Sequence, residues 1–216
     1  LPLAGMIAIL LSEVRGKKFK KTVQTAITIP NFISWIIIYS IMFSLFSNDG
    51  LLTTLVRGLS GNRDSTVTLL TNPGTAKLFM VLTNIWKTVG YNSIIFFAAV
   101  TGIDSQLYDA AAVDGAGRWQ KILHITIPGI LPTFITLLII SVGAILNNGF
   151  EQYYVFGNAM VLDKLEVIDT YTYKMGMVQG NYSFGTAMSM MKSVLSVGLL
   201  LISNFIVKRV RGNSIF

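Results

Sequence analysis

The residues best suited to a specific interaction lie between positions 104 and 128 of this sequence. Asp109 and Asp114 flank a run of three alanines, 110–112, and Gly115 follows directly. Carboxylates bind basic groups through charge-assisted hydrogen bonds, and a face of small residues lets another backbone approach closely. This combination is typical of a surface that docks onto another protein.

The spacing of these residues predicts a helix, a turn and a second helix. Asp104 or Ser105 is suited to cap the start of the first helix. The pair Asp114-Gly115 predicts the turn, because glycine reverses the backbone without strain. Pro128 is tolerated in the first turn of the long helix that follows. The apolar residues that share a face are Leu107, Ala110 and Ala111 in the first helix, and Trp119, Ile122 and Leu123 in the second.

The sequence contains no recognisable set of catalytic residues. There is no cysteine, which excludes a thiol nucleophile, a disulfide and a cysteine metal site. His124 is the only histidine, and without a nearby nucleophile it favours packing or an interface. Gly16-Lys17-Lys18 lacks the first glycine and the Ser or Thr of a phosphate-binding loop. We therefore predict no catalytic, cofactor-binding or metal-binding residue, and we interpret Asp163, Glu166 and Asp169 as a solvated surface.

The composition indicates a chain that folds in a membrane. Of the 216 residues, 52% are hydrophobic and 12% are charged, whereas a soluble domain has about 25% charged residues. The run 1–11 is too short to cross, and we expect it to be the end of a span that begins before this sequence. The alternative, buried helices of a large soluble core, fits long and nearly uncharged segments poorly. The segments near the ~20 residues that a spanning helix needs are 27–47, 78–102, 127–150 and 187–207.

Lysine and arginine residues predict how these spans are oriented. The positive-inside rule places basic segments on the cytoplasmic side. Ten basic residues lie before the first full span, in the segment 103–126 and after the last span, and five lie in the segments 48–77 and 151–186. We therefore predict that 103–126 and the C-terminus are cytoplasmic and that the other two segments face outward. The net charge of +7 then concerns topology and anionic lipid rather than nucleic acid.

Polar residues inside the spans are candidates for a substrate path. Lys87 lies near the middle of its segment, where an uncompensated charge is costly, so we expect it in a water-filled or paired site. The alternative to a path role for Lys192 is that its side chain snorkels to the membrane surface. For the asparagines the alternative is hydrogen bonding between helices. The candidate residues are Asn84, Lys87, Tyr91, Asn92, Asn147 and Lys192, and Asn148 is next to one of them.

The segment 104–128 resembles the EAA motif of permease subunits in binding-protein-dependent ABC importers. That motif reads Glu-Ala-Ala, three residues, Gly, nine residues, then Ile-x-Leu-Pro. This sequence has Asp109-Ala110-Ala111, Gly115 and Ile125-Thr126-Ile127-Pro128 at the same spacing. It departs from the motif at two positions, where Asp109 replaces Glu and Ile127 replaces Leu.

The resemblance extends over nearly the whole sequence. Asp114-Gly115-Ala116 matches the carbohydrate branch of the family, and the sequence from Lys17 onward is similar to maltose-type permeases for polysaccharides and oligosaccharides. Further matching features are Asn48-Asp49-Gly50-Leu51 and Trp86-Lys87.

The resemblance implies an all-α, polytopic membrane bundle with the type I importer permease (MetI-like) fold, in a bacterial inner membrane. It implies that the segment 103–126, the coupling loop, docks into an ATP-binding subunit, present in two copies, which binds ATP and magnesium. A second permease is expected, in a heterodimer or alternatively a homodimer, and a solute-binding protein would deliver a saccharide. The chain is then not itself an enzyme. The residues expected to carry the coupling are Asp109, Ala110, Ala111, Asp114, Gly115, Ala116, Ile125 and Pro128.

The residues alone leave other functions open. An importer permease for a non-sugar solute would carry the same loop. An ion-driven secondary transporter predicts paired ionisable residues and internal repeats, and a channel or membrane scaffold would not need the spaced loop. The positive charge of Lys87 and Lys192 suits an anionic saccharide such as a uronate.

Overall fold

The computed structural model describes residues 1–14, 16–60, 69–147 and 149–211. Within these ranges the chain is helical and has no strand, which confirms the predicted all-helical fold. Asn148, Arg15 and Arg63 lie outside the described residues. The helices before the turn at Gly115 are α1 (Pro2–Glu13), α2 (Lys17–Phe32), α3 (Trp35–Phe46), α4 (Leu51–Ser60), α5 (Ala76–Thr101) and α6 (Ser105–Val113).

The described second half of the chain has two long α-helices, of 17 and 30 residues, and four short ones. It also contains two π-helical segments, Ile122–Thr126 and Lys174–Val178. The α-helices are α7 (Arg118–Lys121), α8 (Ile127–Gly143), α9 (Phe150–Phe156), α10 (Leu162–Leu165), α11 (Ile168–Tyr173) and α12 (Tyr182–Arg211).

The chain forms two compact units, and the first comprises residues 1–32, 85–143 and the chain from Leu200 onward. Its core joins Ala4 and Ala8 of α1 to Phe96 of α5 and Ile130 of α8. The two alanines are one turn apart, so they lie on the same face of α1. Burying one side chain the size of Phe96 stabilises the fold by about 1.5–3 kcal/mol, and Phe96 is fully buried.

The second unit comprises residues 33–84 and 144–199 and has an aromatic core. Phe156 is buried at its centre. The ring of Tyr39 meets the Phe156 ring edge-on, with 5.1 Å between centroids, and Trp35 does so at 6.4 Å. Such edge-to-face pairs add about 0.5–1.5 kcal/mol beyond the burial of area, so they fix α3 against α9.

The segment 27–47, predicted as one span, comprises two helices in the structure. Helix α2 ends at Phe32 and α3 begins at Trp35. Ser34 has extended backbone and caps α3, because its Oγ accepts a hydrogen bond from the Ile37 amide at 3.4 Å. Pro30 lies in the last turn of α2 and lacks an amide donor. Cap and proline together explain why the helix is interrupted within an unbroken apolar sequence.

The segment 127–150 also differs from its prediction as one span. Helix α8 ends at Gly143, and α9 begins at Phe150 after Gly149, whose φ of +71° favours glycine. The segments predicted as outer loops contain helices of their own, which are α4 in 48–77 and α9, α10 and α11 between 150 and 173.

Three stretches of the described chain are long and apolar enough to cross a membrane by length and composition. They are Trp35–Ser60, Arg118–Gly143 and Tyr182–Arg209. Helix α5 is also 26 residues long and coincides with the predicted span 78–102, but it carries Lys87 and two asparagines and is not among the three.

Helices α2 and α5 of the first unit touch at Gly90. A Cβ atom at this position would overlap the backbone carbonyl of Ile27. The absence of a side chain is therefore what permits the two backbones to lie so close. This contact sets the packing distance between α2 and α5.

We expect Gly90→Ala to destabilise the solubilised protein by about 1–3 kcal/mol, the usual cost of overpacking. Gly198→Ala is the matched control, because a Cβ there meets no heavy atom within 4 Å. The thermal midpoint, followed by tryptophan fluorescence in detergent, measures both variants. Equal midpoints for the two would contradict the close approach at Gly90.

Candidate coupling site

The first helix of the predicted coupling loop is α6, and its start is capped as the sequence indicates. The Asp104 carboxylate accepts a hydrogen bond from the Gln106 amide at 2.9 Å. Of the two residues that the sequence offered as a cap, Asp104 is therefore the one used. The cap satisfies one of the amides that lack a partner at a helix start.

The end of α6 is a Schellman turn centred on Gly115. The amide of Ala116 donates to the Ala111 carbonyl at 2.8 Å, and the amide of Gly115 donates to the Ala112 carbonyl at 3.2 Å. Gly115 has a φ of +75°, which a side-chain-bearing residue reaches only at a cost of about 1–2 kcal/mol. The predicted turn at Asp114-Gly115 is therefore present, and it is held by two backbone hydrogen bonds.

The second helix of the loop continues directly into the long helix that follows. Helix α7, the π-helical segment and α8 form one run from Arg118 to Gly143. The Ile127 amide donates to the Ile122 carbonyl, five residues back. This wider turn precedes Pro128, which has no amide to donate, so the proline is accommodated without a break. The expected boundary at 126 between loop and span is thus not a boundary in the backbone.

Two contacts fasten α6 to this continuous helix. The Tyr108 hydroxyl is 2.9 Å from the hydroxyl of Thr126, which is buried. A Cβ atom at Gly129 would lie 2.6 Å from Cδ1 of Ile103, so glycine allows the chain entering α6 to pack against the start of α8. The short helix is therefore attached to α8 both through the backbone and through side chains.

A cleft of about 280 Å³ lies between α6 with its turn and the helical run that begins at Arg118. It brings together five of the eight predicted coupling residues, whereas Asp109, Ala110 and Pro128 are exposed outside it. His124 is at its rim, with Nδ1 at 3.0 Å from the Gln120 carbonyl. The lining residues are Ala111, Asp114, Gly115, Ala116, Gln120, Lys121, His124 and Ile125.

Large apolar side chains stand exposed next to the cleft. Val113 is 88% exposed and Trp119 is 74% exposed. Together with the small lining residues they form a surface on which another protein's helix or ridge could be buried.

Lys87, a candidate for the substrate path, is buried in the first unit with 8% of its surface exposed. Its Nζ donates to the carbonyls of Pro30 at 3.2 Å and Asn31 at 3.1 Å. These carbonyls belong to the last turn of α2, where backbone acceptors lack helical partners. The ammonium group also opposes the negative end of the helix dipole. Lys87 therefore caps α2, which gives it a structural role alongside the predicted one.

Lys192, the other lysine of the predicted path, forms an ion pair in the second unit. Its partner is the Asp169 carboxylate, and the two side chains are 19% and 18% exposed. The interpretation of Asp169 as part of a solvated surface is therefore wrong. No sequence pattern indicated the pair, because 23 residues separate the partners.

Asn84 belongs to a hydrogen-bonded network that the sequence did not reveal. Its Nδ2 donates to Oε1 of Gln152 at 3.0 Å, and Nε2 of Gln152 donates to the Met80 carbonyl at 2.8 Å. Gln152 is 1% exposed, and a buried amide of this kind is costly unless paired. The sequence did hold a signal for the burial of Gln152, because this residue lies among the aromatic residues of α9 and on the same face as the buried Phe156.

The remaining path candidates are more accessible. Tyr91 is 47% exposed, Asn92 is partly buried, and Asn147 is exposed in the turn after α8. Their roles in a path stay predictions.

The family of the chain follows from a match over almost its whole length. The family is described as "Binding-protein-dependent transport system inner membrane component", and the match covers residues 2–212. The chain belongs to this family. The resemblance to permease subunits of binding-protein-dependent importers is thereby confirmed.

Two relatives of this permease come from Bacillus subtilis strain 168. Protein LplB is 38% identical over 216 residues, which is 100% of this chain and 67% of LplB. The polygalacturonan/rhamnogalacturonan transport system permease protein YteP is 39% identical over 209 residues, which is 96% of this chain and 64% of YteP. The permease chain thus spans about two thirds of the length of these relatives.

A solved structure shares the fold of the permease. It is the bacterial alginate ABC transporter in complex with an alginate pentasaccharide-bound periplasmic protein. The TM-score is 0.91 at 32% identity, over 99% of this chain and 74% of that chain. At this similarity the fold prediction, an importer permease bundle, is confirmed.

We expect Lys87→Met to lower the free energy of unfolding by about 1.5–3 kcal/mol, because carbonyls at the end of α2 lose a charged donor. Lys77→Met, on the same helix and exposed, is the control and should be neutral. Denaturant titration of the detergent-solubilised protein measures both. A stable Lys87→Met protein that fails only in transport would instead assign Lys87 to the substrate path.

We expect either Asp169→Asn or Lys192→Gln alone to cost about 1–3 kcal/mol, because each leaves the other charge poorly satisfied in a largely buried place. The double variant should lose less than the sum of the two single variants. A double-mutant cycle on the free energy of unfolding measures this coupling. Additive losses would show that the two side chains do not interact.

Proposed function

We propose that this permease is the translocation subunit of an ATP-driven importer, and that the cleft beside α6 receives an element of a separate ATP-binding subunit. The cleft carries the proposal, because it unites Ala111, Asp114 and Gly115 with exposed apolar neighbours. The small side chains of its lining admit a partner's ridge, Asp114 offers charge in the lining, and Asp109 offers charge on α6 outside the cleft.

The energy for transport comes from that partner. Two copies of the ATP-binding subunit would bind ATP and magnesium, and this chain would bind neither. Consistent with this, its sequence has no phosphate-binding loop of the Gly-x4-Gly-Lys-Ser/Thr type. The proposed orientation places the coupling loop and the C-terminus in the cytoplasm, where the ATP-binding subunits are.

The continuity of the helix from Arg118 to Gly143 supports a lever mechanism. When two ATP-binding subunits close on ATP, they would pull the coupling helices together. Because α6 is fastened to α8 through Tyr108 and Thr126, α8 would tilt as a rigid body rather than bend. Coupling is reciprocal, so a loaded solute-binding protein would favour ATP-bound closure by the same free energy.

The proposed solute is an oligosaccharide or polysaccharide fragment delivered by an extracytoplasmic solute-binding protein. This rests on the relatives, since YteP is named for polygalacturonan and rhamnogalacturonan transport and the matched structure for alginate. A second permease subunit would complete the path, in a heterodimer or with a second copy of this chain. We propose that Tyr91, Asn92 and Asn147 line that path.

We expect Ala111→Trp to abolish saccharide uptake and transport-coupled ATP hydrolysis, because an indole at this position fills the cleft. Membrane insertion and the thermal midpoint should stay as in the wild type, since Ala111 is at a partly open surface. The assay uses the full importer in proteoliposomes, with labelled oligosaccharides and with phosphate release as the second readout.

Ser105→Trp is the matched control, because Ser105 is exposed at the other end of the same helix and does not line the cleft. It should retain uptake. Normal uptake by Ala111→Trp would overturn the coupling role of the cleft, and a wild-type importer that carries no saccharide would overturn the proposed solute.

A further inference from the structure

A second and larger cavity lies wholly within the second unit. Its volume is about 490 Å³, within the roughly 300–1,000 Å³ typical of small-molecule sites. It lies between α9, α11, the π-helical segment Lys174–Val178 and the start of α12, and it includes none of the six predicted path residues. The lining residues are Phe150, Asp169, Thr172, Tyr173, Gly176, Met177, Tyr182, Gly185, Thr186 and Ser189.

One wall of this cavity is a preformed aromatic surface. The rings of Phe150 and Tyr173 are 5.0 Å apart between centroids, and Tyr154 contacts both, at 5.1 Å and 5.4 Å. Three mutually packed rings cannot rotate independently, so their positions are fixed before any ligand enters. Flat apolar faces with fixed geometry suit a ligand that is itself a ring with an apolar face.

Hydroxyl groups occupy the wall formed by α12. Thr186 Oγ1 donates to the Tyr182 carbonyl at 2.9 Å, and Ser189 Oγ donates to the Gly185 carbonyl at 2.9 Å. Each hydroxyl has therefore used its proton inside the helix and keeps lone pairs that accept hydrogen bonds. Acceptors of this kind match a ligand that presents hydroxyl donors around its edge.

Two of the residues that line the cavity are glycines in close contact. A Cβ atom at Gly176 would lie 3.2 Å from Cα of Gly185, and the reverse holds for Gly185. The two glycines let the π-helical segment and α12 approach closely. The spacing of these two elements beside the cavity is thus set by backbone positions rather than by movable side chains.

The charge of the lining selects among ligands of this shape. Asp169 is the only acidic or basic side chain among the lining residues described, and Lys192 forms an ion pair with it. The described lining therefore offers no basic group to receive a carboxylate. A uronate would meet Asp169 without a cation to bind it, whereas an uncharged ring would not.

We propose that this cavity binds an uncharged hexopyranose unit of the transported saccharide, with Phe150 and Tyr173 beneath the ring and Thr186 and Ser189 accepting its hydroxyls. The proposal rests on the saccharide importer function proposed above and names a second contact point for that solute. In the proposed orientation the cavity is on the outward side, where solute arrives.

The absence of cysteine makes a direct occupancy test possible. The variant Ser189→Cys places a single thiol of this chain in the cavity, and the variant Met160→Cys places one at an exposed position of the same unit outside it. The assembled importer in lipid nanodiscs, without ATP, is treated with a maleimide, and labelling of this chain is followed on a gel. The probes are galactotriose, maltotriose, mannotriose and trigalacturonate. Trigalacturonate differs from galactotriose in the carboxylates at C6 and in its linkages.

We expect at least one neutral trisaccharide to slow labelling of the Ser189→Cys variant several-fold, while labelling of the Met160→Cys variant is unaffected. Adding Tyr173→Leu to the Ser189→Cys variant should remove the protection. Thr186→Cys replaces Ser189→Cys if the latter does not assemble.

Absence of protection by all three neutral sugars overturns the site. Equal or stronger protection by trigalacturonate overturns the uncharged class. Labelling does not require transport. A wild-type importer that carries no saccharide would therefore contradict the proposed function, independently of the labelling result.

Discussion

The ammonium group of Lys87 held by the carbonyls of Pro30 and Asn31 is the interaction on which the first unit depends most. A helix that ends within an apolar sequence leaves carbonyls that lipid cannot satisfy. A lysine from α5 satisfies them, and α5 is also the helix whose Gly90 touches α2. The break before α3 is thus possible because one long side chain supplies a donor where water cannot.

The same requirement explains the other polar contacts in the apolar helices. Lys192 is paired with Asp169, and Gln152 is bonded to both Asn84 and the Met80 carbonyl. Each of these groups would cost several kcal/mol if it were buried alone. The side chains of Lys87, Gln152 and Lys192 therefore join helices, and each joint is specific because it needs one donor and one acceptor at fixed positions.

The cap and the turn of the coupling loop were predictable from the sequence, whereas the partners of Lys87 and Lys192 were not, for a physical reason. The cap at Asp104 and the turn at Gly115 are local: each involves near neighbours in the chain, and residue type alone favours them. The partners of Lys87 lie 57 and 56 residues away, and those of Gln152 lie 72 and 68 away. Nothing in the spacing of residues along one helix reveals such a partner. The break in 27–47 was missed for a different reason: its signals, Pro30 and Ser34, are local, but hydropathy alone does not register them.

The partners of the two lysines also change the argument about the charge of the solute. Their positive charges favoured an anionic saccharide only as long as they were available to a solute. Lys192 is paired with a carboxylate, which offsets its charge at short range, and the ammonium group of Lys87 is buried against two backbone carbonyls. In the proposed saccharide site, selectivity would then rest on ring shape and hydroxyl geometry, for which the cavity offers the rings of Phe150 and Tyr173 and the hydroxyls of α12. A permease of this kind would bind a polysaccharide through the uncharged faces of the sugar rings, even where some units of that polysaccharide carry carboxylates.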